Sequence, residues 1–573
     1  MYNIKKYGKI NWLEIIMHFC EVNMSNILIK PIPQTEKCFL DESIHAKMDY
    51  AKGSMLLGER FSFQLAYQLS DDDPMRKVGF LFVEGPLASY VTFQRVDNVP
   101  VRNPLYCGKD DGAYLRTQPG LYPDLLRPIT SKNWIYITKD LQALWIDIRV
   151  PEHMQGGTYP IHFVLRGHEN EFLAETDFTV EIIPAALPPQ TLQVTQWFHP
   201  DCLAVYYNVE IFSQRHWEIM ESFLQTAVDN GINMILTPVF TPPLDTAKWH
   251  QRPTVQLVDV TKTKDGWSFG FEKLERWVKM CDDVGIRYFE ISHLFTQWGA
   301  HHAPKIMANT DDGYRQVFGW DTDAAGEEYR GFLNAFLPAL IKEMDRLGAG
   351  DRMVFHLSDE PGGDKLESYL AAKEGILDAL AGQTVMDALS DFSFYEKGAV
   401  ETPVVSIDHI EPYLEAKVDN LWAYYCCCQC EQVSNRFVSM STARNRIIGA
   451  QLYKYNIAGF LQWGYNFYFT EGSMEFCNPY MCTDGGYWVP AGDAFSVYPA
   501  PDGTAYETIH LLGFTAALYD MRAFALAEKL CGRQAVMDIL ESRGEITFKK
   551  YPTDQAFILE TREKINRLIA ENI

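Results

Sequence analysis

The sequence predicts an immunoglobulin-like β-sandwich followed by a (β/α)8 barrel, with helices closing the chain. Three observations predict it. From about Ile27 to Ile183 apolar residues recur at every second position, the period of strands with one covered face. After Pro184, Pro188 and Pro189 short apolar runs alternate with amphipathic stretches, the mark of βα units. The trailing ends of those runs are rich in His, Trp, Tyr, Asn and Asp, and in a barrel of this class that edge holds the active site. A chain of 573 residues is also too long for one core. The expected domains are a sandwich over 24–185, a barrel over 190–500, and a helical segment over 501–573 packed on the barrel.

Residues 1–23 read as an extension ahead of Met24. Their apolar patch, Trp12 to Phe19, is short and interrupted, without the continuous core and small-residue cleavage site of a signal peptide. No later run has the unbroken apolar length of a membrane span, so the expectation is a cytoplasmic protein with no membrane partner. In the sandwich, Phe61, Phe63, Leu65 and Tyr67 alternate with polar residues, as do Val91, Phe93 and Arg95. Leu144–Val150, a Gly156-Gly157 turn and Tyr159–Val164 read as a hairpin, and Phe178–Ile183 as the last strand. A domain of this kind suits packing support for its neighbour, with carbohydrate binding as the other option.

The barrel opens with a strand over Leu192–Phe198. Ser213 caps a helix whose apolar face is Trp217, Met220, Phe223, Leu224 and Ala227, closed by Gly231. Ile232–Phe240 is the next strand, and Val255–Phe271 an inserted hairpin. Leu274, Trp277, Val278 and Cys281 line a helix that ends near Gly285, and Ile286–Ile291 is a strand. A polar, Gly-rich excursion through Phe318-Gly-Trp-Asp321 precedes a long helix from about Gly326 to Leu347. Then comes Met353-Val-Phe-His-Leu-Ser-Asp-Glu-Pro361, where Val354, Phe355 and Leu357 read as a buried strand and Pro361 ends it. A helix (365–380), strands near 384–389, 404–407, 421–428 and 459–466, and a helix near 443–455 complete about eight units. In the last long helix Ile509, Leu512, Ala516, Tyr519, Ala523, Leu526 and Leu530 form an apolar stripe, and another helix starts near Asp554.

The net charge of −24 argues against a nucleic-acid or anionic-membrane partner. There is no Gly-x-Ser-x-Gly in a strand–turn–helix context and no phosphate loop ending in Lys-Ser/Thr. His301 and His302 are adjacent, a poor metal pair. Cys426, Cys427, Cys428 and Cys430 lack zinc-knuckle spacing. Neighbouring strand residues point to opposite faces, so these thiols are not expected to converge on a metal. They read as buried free thiols, in a reducing compartment. No cofactor or metal is expected, and the oligomeric state is left open.

What stands is hydrolysis by carboxylates in an aromatic-walled barrel. Asp359 and Glu360 are adjacent, whereas the usual glycosidase carboxyls face each other across the sugar at about 5 Å or more. An adjacent pair suits a substrate that brings its own nucleophile. A 2-acetamido oxygen attacks C1, Asp359 holds the acetamido N–H, and Glu360 protonates the leaving oxygen and later activates water. The negative charge of Asp359 is expected to raise the Glu360 pKa. On the local pattern alone, the pair is equally an acidic cap opening the next helix.

Further candidates sit at the strand ends. Trp463 is a sugar platform and Asn466 a hydroxyl partner. Trp298, Trp422, Tyr424 and Tyr425 are walls or core. Tyr424, Tyr425 and Tyr498 are alternatives for a donor to the acetamido oxygen. His199, His293 and Asp245 are hydroxyl binders, while His356 reads as a satisfied barrel-interior histidine.

Five segments carry a family resemblance. They are Thr241-Pro-Pro-Leu-Asp245-Thr, Thr296-Gln297-Trp298-Gly299, Ser358-Asp359-Glu360-Pro361, Gly459-Phe-Leu-Gln-Trp463-Gly-Tyr-Asn466 and Gly492-Asp493-Ala-Phe-Ser-Val-Tyr498-Pro. In this order the chain resembles glycoside hydrolase family 123 and its broad relatives, whose best-known activity is exo-β-N-acetylgalactosaminidase. The resemblance implies a sandwich plus barrel, retention of configuration, no metal, and the roles just given to Asp359 and Glu360. It also implies a glycan substrate with a terminal β-linked N-acetylhexosamine, and it brings Gln297 and Asp493 among the substrate-binding candidates. The alternatives are a related exo-glycosidase on another sugar, such as β-GlcNAc, and an inactive carbohydrate-binding relative.

Overall fold

The computed structural model describes residues 26–70, 75–129 and 134–573; the extension over 1–23 lies outside them. The described residues divide into two compact units. One runs up to Arg95 and includes Pro128–Ile183; the other joins Val96–Arg127 to Pro184–Ile573. Residues 96–127, expected in the sandwich, are grouped with the second unit, although β6, which begins among them, joins a sandwich sheet. Nothing in the two-residue period marks that change, because alternation continues through the strand that carries the chain across.

Ten strands build two antiparallel five-stranded sheets. They are β1 (Ile27–Pro33), β2 (Lys52–Leu57), β3 (Arg60–Leu69), β4 (Lys77–Glu84), β5 (Val91–Val101), β6 (Gly120–Pro128), β7 (Trp134–Ile137), β8 (Gln142–Arg149), β9 (Gly157–Arg166) and β10 (Phe172–Ala186). One sheet has the order β1-β3-β8-β5-β6, the other β2-β10-β9-β4-β7. Alternate side chains fill the space between them, with Phe63, Leu65, Ile146, Ile161, Phe163 and Phe178 all buried. The Phe63 and Phe178 rings stack at 4.0 Å. The expected hairpin of Leu144–Val150 with Tyr159–Val164 does not form. β8 pairs with β3 and β5, whereas β9 pairs with β10 and β4, so the Gly156-Gly157 stretch crosses between sheets.

In the second unit eight parallel strands close a barrel. In chain order, with inserted strands included, they are β11 (Gln193–Gln196), β12 (Met234–Thr237), β13 (Asp259–Thr263), β14 (Gly266–Gly270), β15 (Tyr288–Ile291), β16 (Ile306–Thr310), β17 (Gly313–Phe318), β18 (Met353–Phe355), β19 (Thr384–Leu389), β20 (Thr402–Ser406), β21 (Trp422–Tyr424) and β22 (Gly459–Gln462). β13, β14, β16 and β17 form a separate four-stranded sheet, and β22 pairs with β11 to close the ring. The hairpin β13–β14 is the one expected. β16–β17 was hidden in a polar stretch because Tyr314, Arg315 and Gln316 leave β17 largely uncovered.

The helices follow their caps. Ser213 Oγ accepts from His216 N–H at 3.3 Å and opens Gln214–Asp229, whose buried residues include Trp217, Met220, Phe223, Leu224 and Ala227. Gly231 (φ +82°) and Gly285 (φ +103°) adopt the left-handed turn that ends a helix without a Cβ penalty. Helix Ile509–Cys531 is buried on nearly all sides, so its seven-residue stripe understates its covered face; Leu530 is exposed. Among the described residues, no helix is long and apolar enough to cross a membrane.

Candidate active site

β18 is the fourth strand of the ring, and its C-terminal end carries the carboxyl pair. Strand pairing stops at Phe355, and polar bonds then take over. Asp387 Oδ1 accepts from the N–H groups of Leu357 and Ser358 at 2.8 and 3.2 Å, and Tyr369 donates its hydroxyl to Oδ2. Ser358 Oγ donates to Thr296 O at 2.9 Å, Trp298 N–H to Asp359 O at 2.8 Å, and Glu360 N–H to Ala388 O at 3.1 Å. The turn therefore hangs from both neighbouring strands. Glu360 sits there at φ +42°, a left-handed backbone that a residue with a Cβ rarely holds. Asp245 (φ +46°) and Trp298 (φ +60°) share that feature, and such strain collects at functional sites.

These residues surround a cavity of about 280 Å³ lined by Tyr106, Trp197, Asp245, Trp298, Asp359, Glu360, Ala388, Tyr424, Cys426, Cys427, Cys428, Leu461, Trp463 and Trp488. That is near the small end, about 300 Å³, for ligand pockets. A larger groove of about 570 Å³ runs from Pro188 to Leu192 and past Ile457, at the opposite strand ends, and holds no carboxyl pair. In a barrel the chemistry belongs to the first.

Of the residues singled out by sequence, Asp359, Glu360, Asp245, Trp298, Tyr424 and Trp463 are brought together in this lining. The others are not. Asn466 spends its amide on the backbone of His199, accepting N–H at 2.8 Å and donating to the carbonyl at 3.1 Å. His199 is sealed between Arg252, which donates to Nδ1 at 3.1 Å, and Trp463 O, 3.2 Å from Nε2; burial first and Arg252 second push its pKa down to about 3. Gln297 Oε1 accepts from Asp245 N–H at 2.8 Å, and Asp493 Oδ2 from Trp463 Nε1 at 3.0 Å, so both hold wall residues from behind. Tyr425, one residue past the end of β21, donates to Asn445 at 3.3 Å. Tyr498 packs on Tyr480 and Phe495. Trp422 lies over Gly459, where an added Cβ would come within 2.2 Å of its ring.

His293 and His356 lie inside the barrel, fully buried, with ring centroids 4.5 Å apart. His356 forms ion pairs with Glu290 at 2.7 Å and Asp387 at 3.4 Å, at angles outside those of a hydrogen bond. Burial disfavours its charge, but the two carboxylates outweigh that and raise its pKa to about 10. Burial and then His356 hold His293 neutral, far below the usual range. An imidazolium thus lies beneath the carboxyl pair.

Burial first, then the charges of Glu360 and Asp245, push Asp359 well up, while His356 pulls it down. Burial also raises Glu360; the Tyr424 hydroxyl, donating to Oε1 at 2.6 Å, opposes this. The main cause is thus burial rather than the Asp359 charge that sequence reasoning invoked. Asp359 is half-buried and Glu360 reaches the cavity's solvent, so both rises are smaller than a sealed site would give. The pair loses its protons in two steps, with the second retained to higher pH. Burial also takes Asp245 up to about 7, against the pull of Arg252.

Trp197, Trp488, Tyr106 and the three cysteines were not singled out as site residues. Trp197 had a signal in its place one residue beyond β11. Trp488 follows Gly485-Gly486-Tyr487, a glycine-rich turn ending in aromatics. Tyr106 comes from the segment assigned to the sandwich. The opposite-face placement expected of the cysteines fails: the strand stops at Tyr424, and Cys426–Cys428 lie on the turn beyond it, with all three sulfurs within 4.8 Å of one another.

The comparisons with known proteins agree with this architecture. A family 123 glycoside hydrolase from Clostridium perfringens, solved to analyse glycolipid glycan hydrolysis, superposes with a TM-score of 0.71 over 95% of this chain and 97% of its own, at 14% identity. That likeness is one of fold. An endo-β-1,4-mannanase from Thermotoga petrophila (TM-score 0.31, 13% identity, 58% of this chain and 77% of that one) and a β-glucuronidase from Parabacteroides merdae (0.29, 11%, 87% and 53%) are too distant to support an argument. No curated protein matches by sequence. The model of the glycoside hydrolase 123 catalytic domain matches residues 197–527, more than half the chain and every carboxyl of the cavity. The chain therefore belongs to glycoside hydrolase family 123 and is a glycoside hydrolase.

Proposed function

We propose that this enzyme is a retaining exo-β-N-acetylgalactosaminidase that uses the substrate's own acetamido group as nucleophile. The observation that carries the reading is the placement of Asp359 and Glu360 side by side on one strand end, in a cavity sized for a terminal sugar. Neighbours on one turn are poorly placed to flank a glycosidic bond from opposite sides.

In the first step the acetamido carbonyl oxygen attacks C1 and the C1–O bond breaks. Glu360 transfers its proton to the departing oxygen, leaving a bicyclic oxazolinium. Asp359 accepts a hydrogen bond from the acetamido N–H, which raises the nucleophilicity of the carbonyl oxygen. The Glu360 carboxylate then removes a proton from water, which attacks C1 and reopens the ring. Two inversions give retention. Burial favours the protonated Glu360 but also raises Asp359, so Asp359 ionises against its burial and the charges of Glu360 and Asp245, with the His356 charge opposing them. Trp463 and Trp298 offer faces to the sugar, and Tyr424 holds the Glu360 carboxyl in position. The preference for the galacto configuration rests on the family likeness. The terminal sugar of a glycolipid glycan is one source of such a substrate.

Asp245 supports a second reading, since it lines the same cavity and could act as a direct nucleophile opposite Glu360. Burial takes its pKa up to about 7, so about half of it is ionised at neutral pH, and a substrate panel decides between the two readings. A panel of aryl glycosides tests both. The proposal expects fast release from β-GalNAc, much slower release from β-GlcNAc and none from β-galactoside. Equal turnover of the plain galactoside would reject substrate assistance in favour of Asp245. Binding without turnover on every glycoside would mark an inactive carbohydrate-binding relative.

A further inference from the structure

The three cysteines in the cavity wall have no part in the hydrolytic reading. Their sulfurs lie within 4.8 Å of one another, and those of Cys427 and Cys428 are 3.9 Å apart. Tetrahedral zinc with bonds of about 2.3 Å places its sulfur ligands roughly 3.8 Å from each other. One edge of that triangle is already at ligand spacing, and the others need to close by about an ångström at most.

The turn that presents them is held from several sides. Cys426 N–H donates to Gln429 Oε1 at 2.9 Å, and Asn435 Nδ2 donates to the carbonyls of Cys426 and Gln429 at 2.8 and 2.7 Å. Gln429 Nε2 in turn donates to Asp408 Oδ1 at 2.9 Å. The Tyr106 hydroxyl lies 3.8 Å from Cys428 Sγ, on the cavity side. Cysteines kept only for packing are among the most buried residues. Here Cys428 is exposed and Cys427 half-buried, both against the cavity that holds Glu360.

We propose that Cys426, Cys427 and Cys428 form a thiolate site for one soft d10 metal ion, zinc foremost, in the wall of the catalytic cavity. Three sulfur ligands with the fourth position turned toward a cavity is the pattern of a zinc site that exchanges its last ligand. Binding displaces thiol protons and needs no change of oxidation state. The hydrolytic reading uses none of the three thiols, so a metal titration tests this site without depending on the reaction proposed above.

The test is titration of the reduced, chelator-treated full-length protein with Co²⁺, then Zn²⁺, in the presence of a phosphine reductant. The expected result is one equivalent of Co²⁺ giving an intense sulfur-to-cobalt charge-transfer band with tetrahedral ligand-field absorption, both abolished by one equivalent of Zn²⁺. A Cys427→Ser/Cys428→Ser double variant, altered only at the two solvent-reaching thiols, should lose the band while keeping its circular dichroism and melting temperature. Cys107→Ser and Cys482→Ser should keep the band. Absence of the band in the unaltered protein would overturn the proposal. Its survival in the double variant, or its loss in either control, would place any bound metal elsewhere and overturn it equally.

Discussion

Glu360 and Asp359 separate by leaving group. Glu360→Gln removes the proposed proton donor, and the loss should be about 10²–10⁴-fold in kcat on poor leaving groups. It should be far smaller on a nitrophenyl glycoside, whose departing oxygen needs little help. Asp359→Asn removes the charge proposed to favour the transition state, and the loss should be about 10²–10³-fold on both classes alike. Steady-state kinetics on a paired set of aglycones checks this. A Glu360→Gln loss independent of the aglycone would remove its acid role.

Side chains at the strand ends show where sequence reasoning succeeds and where it stops. Asp359 and Glu360 were legible because an apolar run, an acidic pair and a proline locate a strand end without any tertiary knowledge. Asn466 and His199 were placed at strand ends with equal ease, yet each bonds to the other's loop instead of facing the cavity. Position along a strand predicts which edge a residue reaches; whether its polar atoms are already satisfied depends on partners distant in sequence. Tyr106 and Trp488 come from such distant segments. The cysteine turn was misread because the apolar run through Tyr425 conceals that pairing ends at Tyr424.

At the scale of elements, β18 works through what lies under it. His356→Gln leaves Glu290 and Asp387 buried without their cation, a cost of about 3–5 kcal/mol. It also removes the charge that lowers the Asp359 pKa, so the acidic limb of kcat/KM should move to higher pH. Denaturant melts and a pH–rate profile read the two effects separately; an unmoved limb would detach His356 from Asp359. Helix packing offers a second case. Gly449, in helix Ile448–Lys454, sits so close to helix Ile509–Cys531 that an added Cβ would meet Ala517 O at 2.4 Å. Gly449→Ala should cost about 1–3 kcal/mol by overpacking, measured as a lowered denaturation midpoint at unchanged substrate specificity.

At the scale of the whole molecule, the raised His356 pKa ties stability to pH. Its folded value of about 10 exceeds the ordinary 6.5, so the protonated form is the stabilised one. That contribution is complete below about 6.5 and is lost as pH rises through 10. Urea midpoints should therefore fall between pH 7 and 10 in the unaltered protein and fall less in His356→Gln. The fold itself was broadly legible, because a change of period after Pro189 separates a sandwich from a barrel. The crossing between β8 and β9 was not, since it depends on which sheet each strand joins.

In the proposed mechanism the substrate supplies the nucleophile. The most direct measurement is kcat/KM across aryl β-galactosaminides bearing N-acetyl, N-fluoroacetyl, N-difluoroacetyl and N-trifluoroacetyl groups. Each fluorine withdraws charge from the acyl oxygen, so the rate should fall steeply and steadily along the series. A flat series would rule out substrate assistance, because a protein carboxylate attacking C1 is indifferent to the basicity of that oxygen.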